Sequence, residues 1–146
     1  MIVIANASPL LALSQAECLG VLKALFGQLY IPDSVYEETV TDCPIALQKQ
    51  GILMAINDFI QVQEPGLNQP FSRNLGKGER GVLNLAIEKK ADLLLMDDKK
   101  ARNEAKAIGF MCIFTSDILR YAERQRLINS YADVLEKLRG FGIYLP

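Results

Sequence analysis

Two aspartates, Asp97 and Asp98, directly follow the apolar residues 93–96 and precede a basic stretch. The first apolar run of the chain, residues 2–5, ends in a similar way at Asn6. Because the carboxyl ends of parallel strands meet at one edge of an open α/β sheet, polar side chains that follow different strands converge there. We therefore expect the functional residues of this chain at that edge.

Glu38 and Glu79 are the other candidates to face this edge, and the chain contains no histidine. The candidate set thus consists of carboxylates and one amide. Oxygen atoms of this kind are the ligands that Mg²⁺ and Mn²⁺ prefer in proteins. The sequence points to metal-assisted chemistry on phosphate.

Each candidate also has a purely structural interpretation, and the sequence leaves both open. One aspartate between a strand and a helix is often an N-cap, and a lone asparagine after a strand is often a turn residue. Glu79 would be stabilised by the dipole of the helix that it begins, without any ligand. Glu38 follows Glu37 and could be a solvated helix residue.

A basic run follows the two aspartates and contains Lys99, Lys100 and Arg102. Such a run is usually a solvated helix face. Beside a metal site it would instead hold phosphate groups.

Apolar runs predict strands at residues 2–5, 29–31, 91–96 and 110–114. Helical periodicity and capping residues predict helices between them. These include a helix that begins at Ser8-Pro9 with a break near Ser14, and helices over residues 77–90, 98–108, 115–124 and 130–139. The alternation predicts one domain, residues 1–146, with the α/β fold of a three-layer α/β/α sandwich around a central, mainly parallel sheet.

The middle of the chain gives weaker signals. Residues 44–50 resemble a helix closed by Gly51, and residues 52–62 are apolar enough for a strand with a turn near Asn57. Residues 64–76 contain prolines, glycines and asparagines without any hydrophobic period, so we expect a long mobile loop that could act as a lid.

The chain has 146 residues, is 50% apolar and carries a formal charge of −1. This charge gives no overall basic surface for nucleic acid, so a local patch would have to bind it. The three cysteines form no metal-binding or disulfide pattern, which fits a reducing compartment. The short apolar amino terminus predicts neither a signal peptide nor a membrane segment, and we expect a cytoplasmic protein.

Taken together, the ordered motifs resemble the PIN-domain superfamily, and within it the small prokaryotic proteins related to VapC toxins. The matching stretches span nearly the whole chain, and they are residues 3–10, 31–38, 75–79 leading into 85–86, and 91–102, followed by Gly109 and Thr115. Proteins of this superfamily use three or four acidic residues around one or two Mg²⁺ or Mn²⁺ ions to hydrolyse RNA.

The resemblance implies roles for individual residues. It places Asn6, Glu38, Glu79 and Asp97 at the four catalytic positions, and Asn6 departs from the aspartate that usually stands first. The metal ligands would be Asn6, Glu79 and Asp97, with Asp98 and Asp117 as additional candidates. The RNA-binding residues would be Ser8, which supports the first position, and Lys99, Lys100 and Arg102.

The leading hypothesis is therefore a Mg²⁺- or Mn²⁺-dependent ribonuclease, the toxin of a toxin–antitoxin pair, acting as a homodimer with RNA and an antitoxin protein as partners. The uncharged Asn6 motivates an alternative, a catalytically silent PIN-like module that binds nucleic acid or protein. A phosphoacceptor receiver domain is a third interpretation. It is disfavoured because such a domain needs an acidic pair after its first strand, where this chain has Asn6.

Overall fold

The computed structural model describes residues 1–146 and contains a five-stranded sheet. The strands are β1 (Val3–Ala5), β2 (Leu29–Ile31), β3 (Ile60–Val62), β4 (Leu93–Leu95) and β5 (Cys112–Ile113). Their order is β3-β2-β1-β4-β5, and every neighbouring pair is parallel. Strand β1 is therefore central, and Ala5 pairs with Leu95 of β4.

Helices connect all of the strands, as parallel pairing requires. They are α1 (Ala7–Gln15), α2 (Gly20–Phe26), α3 (Asp33–Tyr36), α4 (Ala46–Ile56), α5 (Lys77–Lys89), α6 (Lys99–Ala107), α7 (Thr115–Arg124) and α8 (Tyr131–Gly140). A π-helical turn, Glu37–Thr41, continues α3. This architecture confirms the predicted three-layer α/β/α sandwich. None of the helices combines the length and the apolar character that crossing a membrane demands.

The central strands form the middle of the hydrophobic core. Every residue of β1 and β4 is buried, as expected for a parallel sheet that is covered on both faces. The adjoining core residues of α5 include Val82, Leu83 and Leu85, which have no exposed surface. The polar residues that follow β1 and β4 are therefore attached to the buried centre of the core.

The predictions for residues 77–140 agree closely with the structure. Helices α5 to α8 lie where the periodicity placed them, and strands β4 and β5 are the centres of the two predicted apolar runs. Ser130 caps α8, since its hydroxyl oxygen accepts a hydrogen bond from the Asp133 N–H at 3.2 Å.

The prediction for residues 44–62 is wrong in two respects. Helix α4 continues through Gly51 to Ile56, and only Ile60–Val62 forms a strand. Gly51 does not end the helix but lets it approach α1, because a Cβ atom there would collide with the Ser14 hydroxyl. That hydroxyl donates to the carbonyl of Gln48 at 2.9 Å, which joins the two helices.

The start of the first helix also differs from the prediction. Asn6, rather than Ser8, is the N-cap of α1, and Ser8 lies in the first turn with its side chain exposed. The break between α1 and α2 follows Gln15, which agrees with the break predicted near Ser14.

Residues 64–76 have no regular secondary structure, as predicted, but side chains of α5 and α6 hold them in place. The buried Glu104 carboxylate accepts hydrogen bonds from the Ser72 N–H at 2.8 Å and from Arg73 at 2.5 Å. Asn84 Oδ1 accepts a hydrogen bond from the Gln69 N–H at 2.9 Å. The segment is thus fastened at several points, which does not favour the expected mobile lid.

Candidate active site

Asn6 is the first residue after β1, and its backbone N–H donates to the carbonyl of Leu95 at 3.0 Å. Although Asn6 is the N-cap of α1, its side chain makes no capping hydrogen bond. The residue is 4% exposed, and its Oδ1 atom has no hydrogen-bond partner. Leaving a buried carbonyl oxygen unpaired costs about 1–3 kcal/mol. The turn-residue interpretation therefore does not account for Asn6, and the oxygen is available to a ligand.

Glu38 lies beside Asn6, and Gly78 at the start of α5 makes room for both side chains. A Cβ atom at Gly78 would collide with Glu38 Oε1 and would lie 3.5 Å from Asn6 Oδ1. Glu38 is carried by the π-helical turn, a rare element that often occurs at functional sites. The fold thus brings two side-chain oxygens from distant segments against the same glycine.

The carboxyl group of Glu38 has a raised pKa, although the residue remains partly open to solvent. The largest cause is desolvation, followed by the negative charges of Glu79 and Asp42. Desolvation and two neighbouring carboxylates thus both disfavour the charged form of Glu38. A cation bound nearby would oppose both effects.

Glu79 lies in the first turn of α5, where the helix dipole favours a carboxylate. Its side chain curls back over the N-cap, so that a Cβ atom at Gly76 would lie 2.7 Å from Glu79 Oε2. Glu79 therefore satisfies its structural interpretation and also adds negative charge to the group around Glu38.

Asp97 follows β4 and is held by a single residue, Thr115, at the start of α7. The Thr115 N–H donates to Asp97 Oδ1 at 2.8 Å, and the Thr115 hydroxyl donates to Oδ2 at 2.7 Å. Thr115 is completely buried. The Asp97 carboxylate thus has a fixed orientation, and each oxygen keeps a further lone pair for another ligand.

The other two aspartates of the predicted metal set cap helices. Asp98 accepts a hydrogen bond from the Ala101 N–H at 2.9 Å and is the N-cap of α6. Asp117 accepts from the Phe114 N–H at 2.9 Å at the start of α7, and it lines a separate cleft with Leu25 and Tyr121. These placements favour the structural interpretation for both residues.

The predicted RNA-binding residues divide into exposed and buried ones. Ser8, Lys99 and Lys100 are exposed. Arg102 instead turns inward: its guanidinium group donates to the carbonyl of Met96 at 3.2 Å and lies 3.5 Å from the centre of the Phe114 ring. This position does not favour phosphate binding by Arg102.

Comparisons with known proteins identify the family of this chain. A family model described as PIN domain matches residues 2–146. The chain belongs to the PIN-domain family. This assignment removes the receiver-domain interpretation. Among curated proteins, none matches the chain significantly.

Two solved structures share the fold of this PIN domain. One is a PilT N-terminus domain protein from the hyperthermophilic archaeon Sulfolobus solfataricus, with 22% identity, a TM-score of 0.59, and coverage of 84% of this chain and 93% of that one. The other is a domain of a functionally unknown protein from Methanocaldococcus jannaschii, with 18% identity, a TM-score of 0.51, and coverage of 77% and 89%. At these identities the likeness concerns the fold alone.

PIN domains typically use divalent metal ions, and the donor types present here fit such an ion. No three Asp, Glu or Cys side chains form a group that could hold a metal without rearrangement. The buried and unpartnered Asn6 Oδ1, however, lies beside Glu38 in space that Gly78 leaves open. An ion bound there would have hard oxygen ligands, which is the chemistry of Mg²⁺ and Mn²⁺.

Sequence reasoning did not assign a role to two residues that shape this site. Gly78 is a poor helix former within the first turn of a strongly periodic helix, which is the signal of a close approach. Thr115 is the second residue after the last strand, at the same edge of the sheet as Asn6 and Asp97. Its position was therefore informative, but its partner could be identified only from the structure.

Proposed function

We propose that this PIN domain is a Mg²⁺- or Mn²⁺-dependent ribonuclease that hydrolyses RNA phosphodiesters. One observation carries the proposal: the buried Asn6 Oδ1 has no partner and lies beside the carboxylate of Glu38. Asp97, whose carboxylate accepts hydrogen bonds from Thr115, follows the strand that pairs with β1 and lies at the same edge of the sheet. An unpartnered oxygen among acidic side chains supports a site for a cation rather than for an anion or an apolar ligand.

In this proposal Asn6, Glu79 and Asp97 hold the ion, and Glu38 completes the site. The bound ion would supply the positive charge that neutralises the phosphodiester and lowers the pKa of water. Glu38 Oε1 would accept a hydrogen bond from the attacking water, and Thr115 would keep Asp97 in its orientation.

RNA binding would depend on a local surface, because the formal charge of the chain is −1. Lys99 and Lys100, at the start of α6, are exposed directly after Asp97 and Asp98. They are therefore the side chains best placed to contact phosphates that flank the proposed site. Contacts of this kind position a strand without reading its sequence.

Cleavage of single-stranded RNA in Mn²⁺ tests the proposal. The wild-type protein is compared with Asp97→Asn and with Asp133→Asn, a matched change at an exposed position of α8. We expect the wild type and Asp133→Asn to cut equally and Asp97→Asn to lose at least about tenfold in rate. Equal cleavage by all three proteins would show that the activity does not come from this site.

The alternative, a silent binding module, is favoured by the uncharged Asn6 and by the absence of a three-acid group. Calorimetry with Mn²⁺ alone separates the two proposals, using the wild type and Asn6→Asp. The ribonuclease proposal expects binding by the wild type, and tighter binding by the variant. Binding by the variant only would favour the silent module.

The remaining parts of the hypothesis are also proposals. A toxin role requires an antitoxin protein that covers the site, and the resemblance to VapC-like proteins is its support. A homodimer is compatible with the exposed apolar side chains of Met111, Tyr121 and Phe141. A cytoplasmic location would give a ribonuclease access to RNA.

A further inference from the structure

A second feature, the polar pocket, lies beside the candidate active site and has a volume of about 360 Å³. Its wall includes the side chains of Asp33, Ser34, Glu64, Asn68, Lys77 and Arg80. The volume is within the range of small-molecule sites, about 300–1,000 Å³, and the wall combines polar side chains with apolar surface that includes Pro65 and Leu67. Such a pocket suits a flat ligand with several hydrogen-bonding groups.

Ser34 provides an independent sign that this pocket binds a ligand. The residue is 5% exposed, and its hydroxyl oxygen has no hydrogen-bond partner. It lies against Gly81, where any Cβ atom would collide with the hydroxyl. Because buried polar groups are almost always paired, an unpaired hydroxyl in the wall of a polar pocket needs a partner.

The pocket presents both acceptors and donors. Asp33 and Glu64 contribute carboxylates, and Arg80 contributes a guanidinium group. Arg80 donates to the carbonyl of Leu75 at 2.5 Å, which fixes one end of its side chain. A planar guanidinium has five N–H donors, so several remain for a ligand.

The polar pocket and the candidate active site share two walls. Asp33 and Ser34 belong to α3, which continues directly into the π-helical turn that carries Glu38. On the other side, Lys77 lines the pocket and precedes Gly78, against which Glu38 and Asn6 lie. The Lys77 ammonium group also bonds Glu37 at 2.9 Å, which ties the two walls together. A nucleotide whose phosphate occupied the active site could place its base in this pocket.

We propose that the polar pocket binds the base of the nucleotide next to the cleaved phosphodiester and prefers guanine. Guanine has O6 and N7 acceptors for an arginine, and N1–H and amino donors for a carboxylate. Uracil has no amino group. Bases of single-stranded RNA are free to expose these edges to a protein. This inference rests on the proposed ribonuclease function, because it names the substrate preference of that site.

Binding of mononucleotides tests the polar pocket without requiring catalysis. The probes are guanosine 5′-monophosphate and uridine 5′-monophosphate, titrated into isotopically labelled protein and followed by NMR. We expect amide shifts at Ser34, Gly81 and Asn68, and about tenfold tighter binding of the guanosine nucleotide. Equal affinity for both nucleotides, or shifts confined to other regions, would overturn the proposal.

Cleavage of a random-sequence RNA, with the cut sites read by sequencing, tests the preference during the reaction. Glu64→Gln removes one carboxylate from the pocket, and Glu136→Gln is the matched control on the exposed surface of α8. We expect the wild type and Glu136→Gln to cut next to guanine about tenfold more often than next to uracil. Glu64→Gln should lose most of this preference, and an unchanged preference in this variant would contradict the proposed role of the pocket.

Ser34→Ala should affect protein stability and nucleotide affinity in opposite ways. Removing an unpaired buried hydroxyl should leave the melting temperature unchanged or higher, while weakening guanosine nucleotide binding several-fold. Unchanged nucleotide affinity in a folded Ser34→Ala protein would contradict the proposed role of Ser34.

The two proposals fail in different ways. If the wild type cuts no RNA in Mn²⁺ but the NMR titration shows selective guanosine nucleotide binding at the pocket, the ribonuclease function fails and the pocket remains. If the wild type cuts RNA equally beside all four bases, the pocket proposal fails and the ribonuclease function remains.

Discussion

Thr115 donates two hydrogen bonds to Asp97, one to each carboxylate oxygen, at 2.8 Å from its N–H and 2.7 Å from its hydroxyl. The two residues come from different strand ends, since Asp97 follows β4 and Thr115 follows β5. Because Thr115 is completely buried at the first turn of α7, it cannot easily move away from the carboxylate. If Asp97 binds a metal ion, as we propose, its carboxylate is oriented before the ion arrives.

Thr115→Val keeps the shape of the side chain but removes the hydroxyl donor. If Asp97 binds the metal, we expect Mn²⁺ affinity, measured by calorimetry, to fall about 10–100-fold, which is the usual effect of losing a hydrogen-bond partner of a metal ligand. Thr115→Ser retains the hydroxyl and should bind Mn²⁺ as the wild type does. Equal affinity in all three folded proteins would limit Thr115 to a structural role.

Gly78→Ala tests the close contact between α5 and Glu38. Alanine favours helix over glycine by about 1 kcal/mol, so the substitution alone should not unfold the protein. The new Cβ atom would collide with Glu38 Oε1 and displace the flexible end of that side chain. We expect RNA cleavage in Mn²⁺ to fall at least about tenfold, with little change in the melting temperature.

Gly20→Ala is the control for this experiment, because a Cβ atom at Gly20 would meet no atom within 4 Å. This variant should retain both activity and stability. A fully active Gly78→Ala protein would show that the observed position of Glu38 is not needed for cleavage.

Arg102 and Lys99 should differ in what their substitution affects. The buried Arg102 donates to the Met96 carbonyl, and hydrogen bonds of charged groups contribute about 1.5–3 kcal/mol. Arg102→Gln should therefore lower the free energy of unfolding by a similar amount, as urea denaturation would show.

Lys99→Gln should leave the free energy of unfolding within about 0.5 kcal/mol, because Lys99 is exposed. If Lys99 contacts one phosphate, its loss reduces the salt dependence of single-stranded RNA binding by about 0.7 in the slope of log K against log salt. An unchanged slope would place the RNA elsewhere on the surface.

The sequence was sufficient to predict those parts of the fold that local patterns determine. The strands β1 and β4 are short apolar runs bounded by polar residues, and α5 has clear helical periodicity. Because the carboxyl ends of parallel strands meet at one edge, the sequence also predicted that Asn6 and Asp97 lie at the same edge of the sheet. The parallel pairing of β1 with β4 confirms this. These inferences needed only the hydrophobic periodicity, the capping residues and the rules of parallel sheets.

Local patterns failed where two distant segments decide the outcome. Gly51 resembles a helix end, but its small size serves the contact with Ser14 of another helix. The orientation of Asp97 by Thr115 and the unpaired hydroxyl of Ser34 likewise depend on which segments meet in the fold. Neither the hydrophobic periodicity nor the capping residues of the chain predict these contacts.

Glu104 holds residues 64–76 against α6, and its role makes a specific pH dependence expected. Hydrogen bonds, first from the Ser72 hydroxyl and then from Arg73, lower the pKa of its carboxyl group from the ordinary value of 4.5, against the opposing effect of desolvation. A carboxyl group whose pKa is lower in the folded than in the unfolded state stabilises the fold above its unfolded pKa. This contribution is lost as the pH falls below 4.5 and through the pKa of Glu104 in the folded state.

We therefore expect Glu104→Gln to reduce the midpoint of urea denaturation at pH 7. The difference in midpoint between the variant and the wild type should shrink progressively below pH 4.5. A difference that stayed constant from pH 7 to pH 3 would mean that the charge of Glu104 does not fasten this segment.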